Sequence, residues 1–277
     1  MKQNLKFLLK DKLSKNELEL MPSSFDVVGS ILIFSDFPKE LSKKEKIIGE
    51  GILRKFKNVK TILKKTKKYS GKFRTPKLKI IAGEKTKETI HKENNVLIKL
   101  DVEKVYFSAR MSSERKRIAD LIRPKERVLV MFSGSGIYPL VIAENSECKE
   151  AYGIEINPVA HKYALENIKK NRLENRIKLF FGDVTKIMPK LKKKFDRILM
   201  PLPKGGENFL RLALKHIKNN GITHFYDFEH ESEFKKSEEK VRKACTEAKK
   251  QFKILRTTKC GQYAPGFYRI CVDFKVI

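Results

Sequence analysis

The sequence is short of acid: 33 aspartates and glutamates face 62 lysines and arginines, a formal charge of +29 at neutral pH. Cysteine is scarce as well. Cys148, Cys245, Cys260 and Cys271 form no CxxC pair, which argues against a disulfide framework and a thiolate zinc site and reads them as reduced thiols. Histidine gives no metal pattern, since His224 and His230 lie six positions apart across a predicted strand end and His91 stands alone. No apolar run approaches the ~20 residues of a membrane span, and the lysine-rich start lacks a signal-like apolar segment. The expectation is a soluble, cytoplasmic protein. At 40% hydrophobic and 34% charged residues the composition also excludes a disordered tail or a collagen-like polymer. A chain of 277 residues has room for one large core or two smaller ones.

So large an excess of base points to a polyanionic partner. Heat adaptation also enriches lysine, but it brings glutamate along, and here the acids do not keep pace. The charge is unevenly placed. Residues 54–79 hold twelve basic residues and no acid, interleaved with Phe56, Tyr69 and Phe73. Residues 186–204 hold seven basic residues and one acid. Both runs are expected to meet a nucleic-acid backbone; a solvated lysine face is the plainer alternative.

Residues 25–34 read as one buried strand and 42–56 as a helix. A basic turn follows around Ser70-Gly71, then strands at 77–82, 88–91 and 96–102, broken by turn residues at Gly83 and Asn94-Asn95. This predicts a small basic α+β domain over residues 1–107. The pattern then changes. Residues 112–122 read as a helix with Ser112 or Ser113 as N-cap, ended by Pro124. Strands at 127–132, 151–156, 177–181, 197–200 and 222–226 alternate with helices, among them 138–145 and 158–171. Such alternation predicts an α/β, doubly wound, mostly parallel sheet over residues 108–277. A late strand at 268–275 is expected antiparallel at its edge.

The first of these strands runs into Ser133-Gly134-Ser135-Gly136, a glycine turn of the kind that lets a ligand approach the backbone at the carboxyl ends of a sheet. Glu155 lies 21 residues after Gly134, at the end of the next strand, where an acid can accept from both hydroxyls of a ribose. Asp183 follows Gly182 at the end of the third strand, placed to accept from an adenine amino group. Taken singly, each residue is equally a turn glycine or a capping acid. The third glycine of a dinucleotide fingerprint is absent, because Pro139 occupies it. That disfavours a pyrophosphate cofactor and suits S-adenosylmethionine, which has no phosphate to cradle.

The segments TIHKENNVLIKLDVEKVYFSARMSSERKRIADLI, VMFSGSGIYPL, GIEINPVAHKYALENIKKN, FFGDV and ILMPLPKGGENFL resemble the archaeal and eukaryotic tRNA guanine-37 N1-methyltransferases and the related wybutosine-pathway enzymes. The resemblance covers residue 25 to the C-terminus. It implies a class I methyltransferase fold, Rossmann-like, behind a small α+β domain, with S-adenosylmethionine as cofactor and the anticodon stem-loop of tRNA as partner. It further implies a cofactor contact at Arg115, ribose recognition by Glu155 with Ile156, and adenine recognition by Asp183 with Val184. Phe132, Gly134, Gly136, Tyr138 and Pro201 complete the expected cofactor set, Tyr138 either closing over the cofactor or simply starting its helix. Arg110 is the expected catalytic residue, its guanidinium stabilising charge on the target guanine.

Two positions depart from the family pattern. Val130 stands where the first motif usually opens with an acid, and Pro201-Leu202-Pro203 replaces an N-x-P motif, removing a side-chain amide. Glu114 and Asp227 are candidate proton acceptors; Glu114 reads better as an ordinary first-turn acid opposing a helix dipole, and Asp227 reads equally well as a loop cap. The expected activity is methylation of guanine N1 at position 37 by a monomer. Aminocarboxypropyl transfer to, or methylation of, a wybutosine intermediate is the first alternative. An inactive RNA-binding module and a methyltransferase for small molecules or proteins are the others.

Overall fold

The computed structural model describes residues 5–202 and 204–277, and all their side chains except those of residues 68–70. Pro203 and the Tyr69 ring therefore lie outside the described residues. The chain forms two compact units. The first runs to Lys92 and takes Leu97–Ala109; the second takes Glu93–Val96 and Arg110–Ile277.

The first unit opens with helices α1 (Leu5–Leu8) and α2 (Lys15–Leu20), the latter started by a reciprocal Ser14–Glu17 capping box. Then come β1 (Phe25–Val28) and β2 (Ile31–Phe34), helix α3 (Glu45–Lys55), β3 (Thr61–Ser70) and β4 (Thr75–Gly83). The expected single strand over 25–34 is thus a hairpin. Gly29 takes a positive φ of 54° and reverses the chain, and a Cβ there would sit 2.4 Å from the Ile90 carbonyl oxygen. Strand order is β1-β2-β3-β4, with β2 and β3 parallel across the α3 crossover. Leu32, Phe34, Ile48, Ile52 and Ile62 fill the core between helix and sheet. Strands β5 (Glu88–Glu93) and β6 (Val96–Asp101) form a separate pair. They are joined at Asn94 and Asn95, whose φ values of 42° and 66° are those a tight hairpin turn requires and asparagine tolerates.

The second unit strings together α4 (Ser112–Asp120), β7 (Arg127–Val130), α5 (Ile137–Asn145), β8 (Glu150–Glu155), α6 (Pro158–Lys170), β9 (Ile177–Phe181), α7 (Val184–Ile187), β10 (Phe195–Met200), α8 (Leu210–His216), β11 (Ile217–His230), α9 (Lys235–Glu247), β12 (Phe252–Ala264) and β13 (Phe267–Val276). Its seven-stranded sheet has the order β12-β13-β11-β10-β7-β8-β9. The five central and outer strands from β11 to β9 are parallel, and β13 is antiparallel to both neighbours. On one face Leu129, Met200 and Phe225 pack with Leu214 of α8 and Val241 of α9. On the other, Tyr226 meets α4 and α5. The doubly wound sheet expected from sequence is what forms.

Three details differ from the sequence reading. Ser112 and Ser113 do not cap α4: Met111 is its N-cap and makes no side-chain capping bond, while Ser112 is already helical. The late strand is not at the edge, because β12 lies outside it. The strand β11 is far longer than the expected 222–226, since its second half pairs with β13 beyond the parallel sheet.

Candidate cofactor and substrate site

The chain order reverses at β7, which lies between β10 and β8. In an open α/β sheet the crevice at such a switch point, outside the carboxyl ends of the strands, is where ligands bind. The glycine turn stands there. Gly134 and Gly136 take φ values of 56° and 82°, and the Gly136 amide closes the turn on the Ser133 carbonyl at 2.9 Å. Ser133 is pinned to the next strand by its amide, which donates to Ile154 at 3.0 Å. Phe132 packs edge-on against Phe209 at 5.1 Å. Val130 is wholly buried in mid-sheet.

Glu155 is the pivot of this crevice. Its Oε2 accepts from the Gly134 amide at 2.7 Å and its Oε1 from the Asn157 amide at 2.7 Å. Its own carbonyl accepts from Gly182 at 2.9 Å. One residue thus ties the ends of β7, β8 and β9 together. Burial raises its pKa, and the amide hydrogen bonds only partly offset that. Ile156 beside it is half-buried. Asp183 caps α7, its Oδ1 accepting from the Thr185 amide at 2.8 Å and hydroxyl at 2.7 Å, and Val184 behind it is buried. Pro201 follows β10, where the Leu202 amide donates to Met200 at 2.7 Å and closes a three-residue turn. Proline's fixed φ suits such a turn.

Other expected residues are engaged differently. Tyr138 is buried, and its hydroxyl donates to Tyr226 at 3.2 Å. Arg115 is 3% exposed and forms a two-pronged ion pair with Glu93, at 2.5 and 2.6 Å. Glu93 was not legible as a site residue from sequence; the pairing depends on the hairpin tip reaching α4. Arg110, the middle residue of a short turn just before α4, is exposed. Both candidate proton acceptors are spoken for. Glu114 accepts from Tyr226 at 2.6 Å and from Arg117 at 2.7 and 2.8 Å. Asp227 accepts from Ser237 at 2.8 Å and Lys240 at 2.6 Å.

Behind Glu114 runs a buried network that sequence gave no sign of. Arg117 reaches on to Asp273 at 2.6 Å, Asp273 accepts from His224 Nδ1 at 2.6 Å, and His224 Nε2 lies 2.8 Å from Arg197. A guanidinium can only donate, so Nε2 accepts and the ring is the neutral Nδ1–H tautomer. Burial depresses the His224 pKa accordingly, against the pull of Asp273. Asp273 is held below the usual carboxylate range: burial opposes this, but His224 and Arg117 outweigh it. His224, Cys271 and Asp273 have ligand-type atoms within 4.8 Å of one another. The His224 nitrogens and the Asp273 carboxylate are already committed to these hydrogen bonds, beside two guanidinium groups.

The basic runs are partly neutralised. Glu45 pairs with Lys64 at 2.6 Å and Lys79 at 2.8 Å, while Lys67, Lys72, Lys77 and Phe73 stay exposed. In the second run Arg197 is a core residue bonded to Glu126, but Lys186, Lys190, Lys192, Lys194 and Lys204 are exposed.

Residues 89–255 match the TRM5/TYW2 methyltransferase domain. The chain belongs to that family. Residues 5–86 match the TYW2 N-terminal domain. Among curated relatives, tRNA (guanine(37)-N(1))-methyltransferase Trm5b of Pyrococcus abyssi is 38% identical over 92% of this chain and 76% of its own. The tRNA(Phe) (4-demethylwyosine(37)-C(7)) aminocarboxypropyltransferase of Methanocaldococcus jannaschii is 35% identical over 92% of this chain and 98% of its own. Two solved structures superpose closely. The complex of aTrm5 with tRNALeu gives a TM-score of 0.86 at 30% identity, covering all of this chain and 79% of that one. Pyrococcus horikoshii TYW2 with MeSAdo gives 0.84 at 27% identity, covering 100% and 99%. Among the described residues no helix is long and apolar enough to cross a membrane.

Proposed function

We propose that the chain is an S-adenosylmethionine-dependent tRNA-modifying enzyme whose reaction is methylation of guanine N1 at position 37, beside the anticodon. The carrying observation is the clamped Glu155 carboxylate, bonded to Gly134 and Asn157 amides at 2.7 Å. It is fixed in orientation and only part-buried, so remaining lone pairs can accept from ribose hydroxyls. The fit to a phosphate-free cofactor is good. Pro139 sits in the first turn of α5 and withholds an amide there, and Gly136 is crowded by Ala164, 3.2 Å from any Cβ. This helix start is a poor phosphate cradle.

S-adenosylmethionine supplies an electrophilic carbon with its leaving group attached. The protein's share is positioning and charge. Glu155 with Ile156 holds the ribose, Asp183 with Val184 receives the adenine, and the turned backbone at Pro201 borders the reacting end. Arg110 donates to guanine O6 and stabilises the negative charge that grows as N1 gives up its proton to solvent. Arg115, locked to Glu93, holds α4 so that Arg110 stands at the mouth; its role is to orient. The exposed lysines of residues 54–79 and 186–204 take the RNA phosphates.

The second reading is aminocarboxypropyl transfer to the base at the same position, and the match of residues 5–86 to the TYW2 N-terminal domain favours it. Cofactor labelled separately in the methyl and the carboxyl group separates the two. Methyl transfer leaves only the methyl label on tRNA, and aminocarboxypropyl transfer only the carboxyl label. The main reading expects methyl label, lost in Arg110→Ala; carboxyl label on tRNA overturns it.

A further inference from the structure

The hairpin of β12 and β13 takes no part in the cofactor crevice, yet its tip carries the largest exposed aromatic surface of the second unit. Tyr263 is 69% exposed and Phe267 46%. Register sets β13 residues beside β11 at this tip. Arg269 lies opposite Phe228 and Phe267 opposite His230, and residues opposite one another share a face. The Tyr263 ring lies 4.6 Å from the Phe228 ring, the Arg269 guanidinium 5.1 Å from the Phe228 centroid, and the His230 ring 5.2 Å from Phe267. Aromatic rings and a guanidinium are thus laid side by side. Residues 250–269 carry five basic residues and no acid. That is the composition of a surface for unpaired nucleotides: flat rings for bases, cations for the backbone.

Its position gives it a purpose. Phe228 and His230 follow Tyr226 on the same face of β11, at the carboxyl end of a strand parallel to β10. Tyr226 bonds to Glu114 in the first turn of α4, and Asp273 of β13 accepts from Arg117 of the same helix at 2.6 Å. The hairpin therefore adjoins α4, the helix that begins just after Arg110. Burial raises the Cys260 pKa, leaving a neutral thiol. The edge strand is also broken by register shifts at three places along its pairing, which discourages another strand from adding to it and leaves side chains as its means of recognition.

We infer that Tyr263, Phe267 and the Arg269–Phe228 pair form a stacking platform for unpaired nucleotides of the RNA flanking the target base. The inference rests on the tRNA reading above for its biological occupant, but not for its chemistry. A base turned out of a loop leaves its neighbours unstacked, and this platform re-stacks them beside Arg110.

The test measures binding of a single-stranded RNA oligonucleotide, and of a duplex of the same length, to the full chain and to Tyr263→Ala, Phe267→Ala and Tyr263→Phe. The platform predicts that each alanine variant binds the single strand about tenfold more weakly. It also predicts that Tyr263→Phe keeps wild-type affinity, that duplex binding changes little, and that S-adenosylmethionine affinity is unmoved. Both residues are surface-exposed, and unchanged cofactor binding reports an intact fold. Wild-type single-strand affinity in both alanine variants overturns the platform. So does an equal loss for duplex and single strand, which would mean general charge. Transfer to tRNA is scored in parallel: turnover with unaltered single-strand binding sinks the platform and leaves the function standing. Weakened binding without any turnover of tRNA by the wild type does the reverse.

Discussion

At the residue scale the site depends on carboxylates held by neighbours that the chain brings from different distances. Glu155 was legible because its partners are local: a glycine turn on one strand and an acid at the next strand's end, 21 residues apart. Glu155→Ala is expected to weaken S-adenosylmethionine binding at least tenfold by calorimetry and also to lower stability in guanidinium, since the Gly134 and Asn157 amides lose their acceptor. Its pKa is raised by burial, so the ionised form is lost at a higher pH than for an ordinary carboxylate. Cofactor affinity should therefore fall on acidification from above the usual carboxylate range. An affinity flat through that range contradicts the ribose assignment.

The Arg117–Asp273–His224–Arg197 network was not legible, because Arg117 and Asp273 are 156 positions apart and no local pattern encodes such a pairing. Asp273→Asn strands a buried guanidinium and an imidazole, a loss of about 3–5 kcal/mol in urea denaturation. His224 adds a pH term of definite sign. Its folded pKa is depressed from 6.5, so the unfolded chain takes up the proton first. Its contribution is complete above pH 6.5 and is lost as pH falls below it. Replacing His224 with Asn should flatten that part of the pH–stability curve.

At the element scale the alternating strands and helices of the second unit were readable because the inner strands β7, β8 and β10 are buried on both faces and read as apolar runs. The edge strand β12 was not. Its exposure pattern is mostly exposed and half-buried, so no apolar run marks it, and it forms only because β13 lies beside it. The 25–34 hairpin failed to show for the opposite reason: both arms are apolar, and one glycine divides them. Close approach matters at β8. A Cβ on Gly153 would lie 2.6 Å from Leu179 and 2.9 Å from the Ser133 hydroxyl. Gly153→Ala should cost about 1–3 kcal/mol and also weaken cofactor binding, since Ser133 leads into the glycine turn. Wild-type values in both measurements would show the strand can spread without cost.

At the scale of the whole molecule, the excess of +29 is less available than its sum suggests. Arg115, Arg117 and Arg197 are locked into ion pairs inside the second unit, and Lys64 and Lys79 share Glu45. Lys67, Lys72 and Lys77 of the first run and Lys186, Lys190, Lys192 and Lys194 of the second stay exposed. Affinity for tRNA should fall steeply and log-linearly with salt, with lysine-to-alanine changes among Lys186, Lys190 and Lys204 lowering the slope; a salt-insensitive affinity would remove the phosphate-contact account. Methylation of guanine 37 is checked by nucleoside mass. Unmodified tRNA transcripts are incubated with the chain and S-adenosylmethionine, digested, and the modified residue located. The expected product carries a single methyl group on guanine 37, absent when that guanine is replaced. An aminocarboxypropyl adduct there, or a methyl group elsewhere in the tRNA, contradicts it.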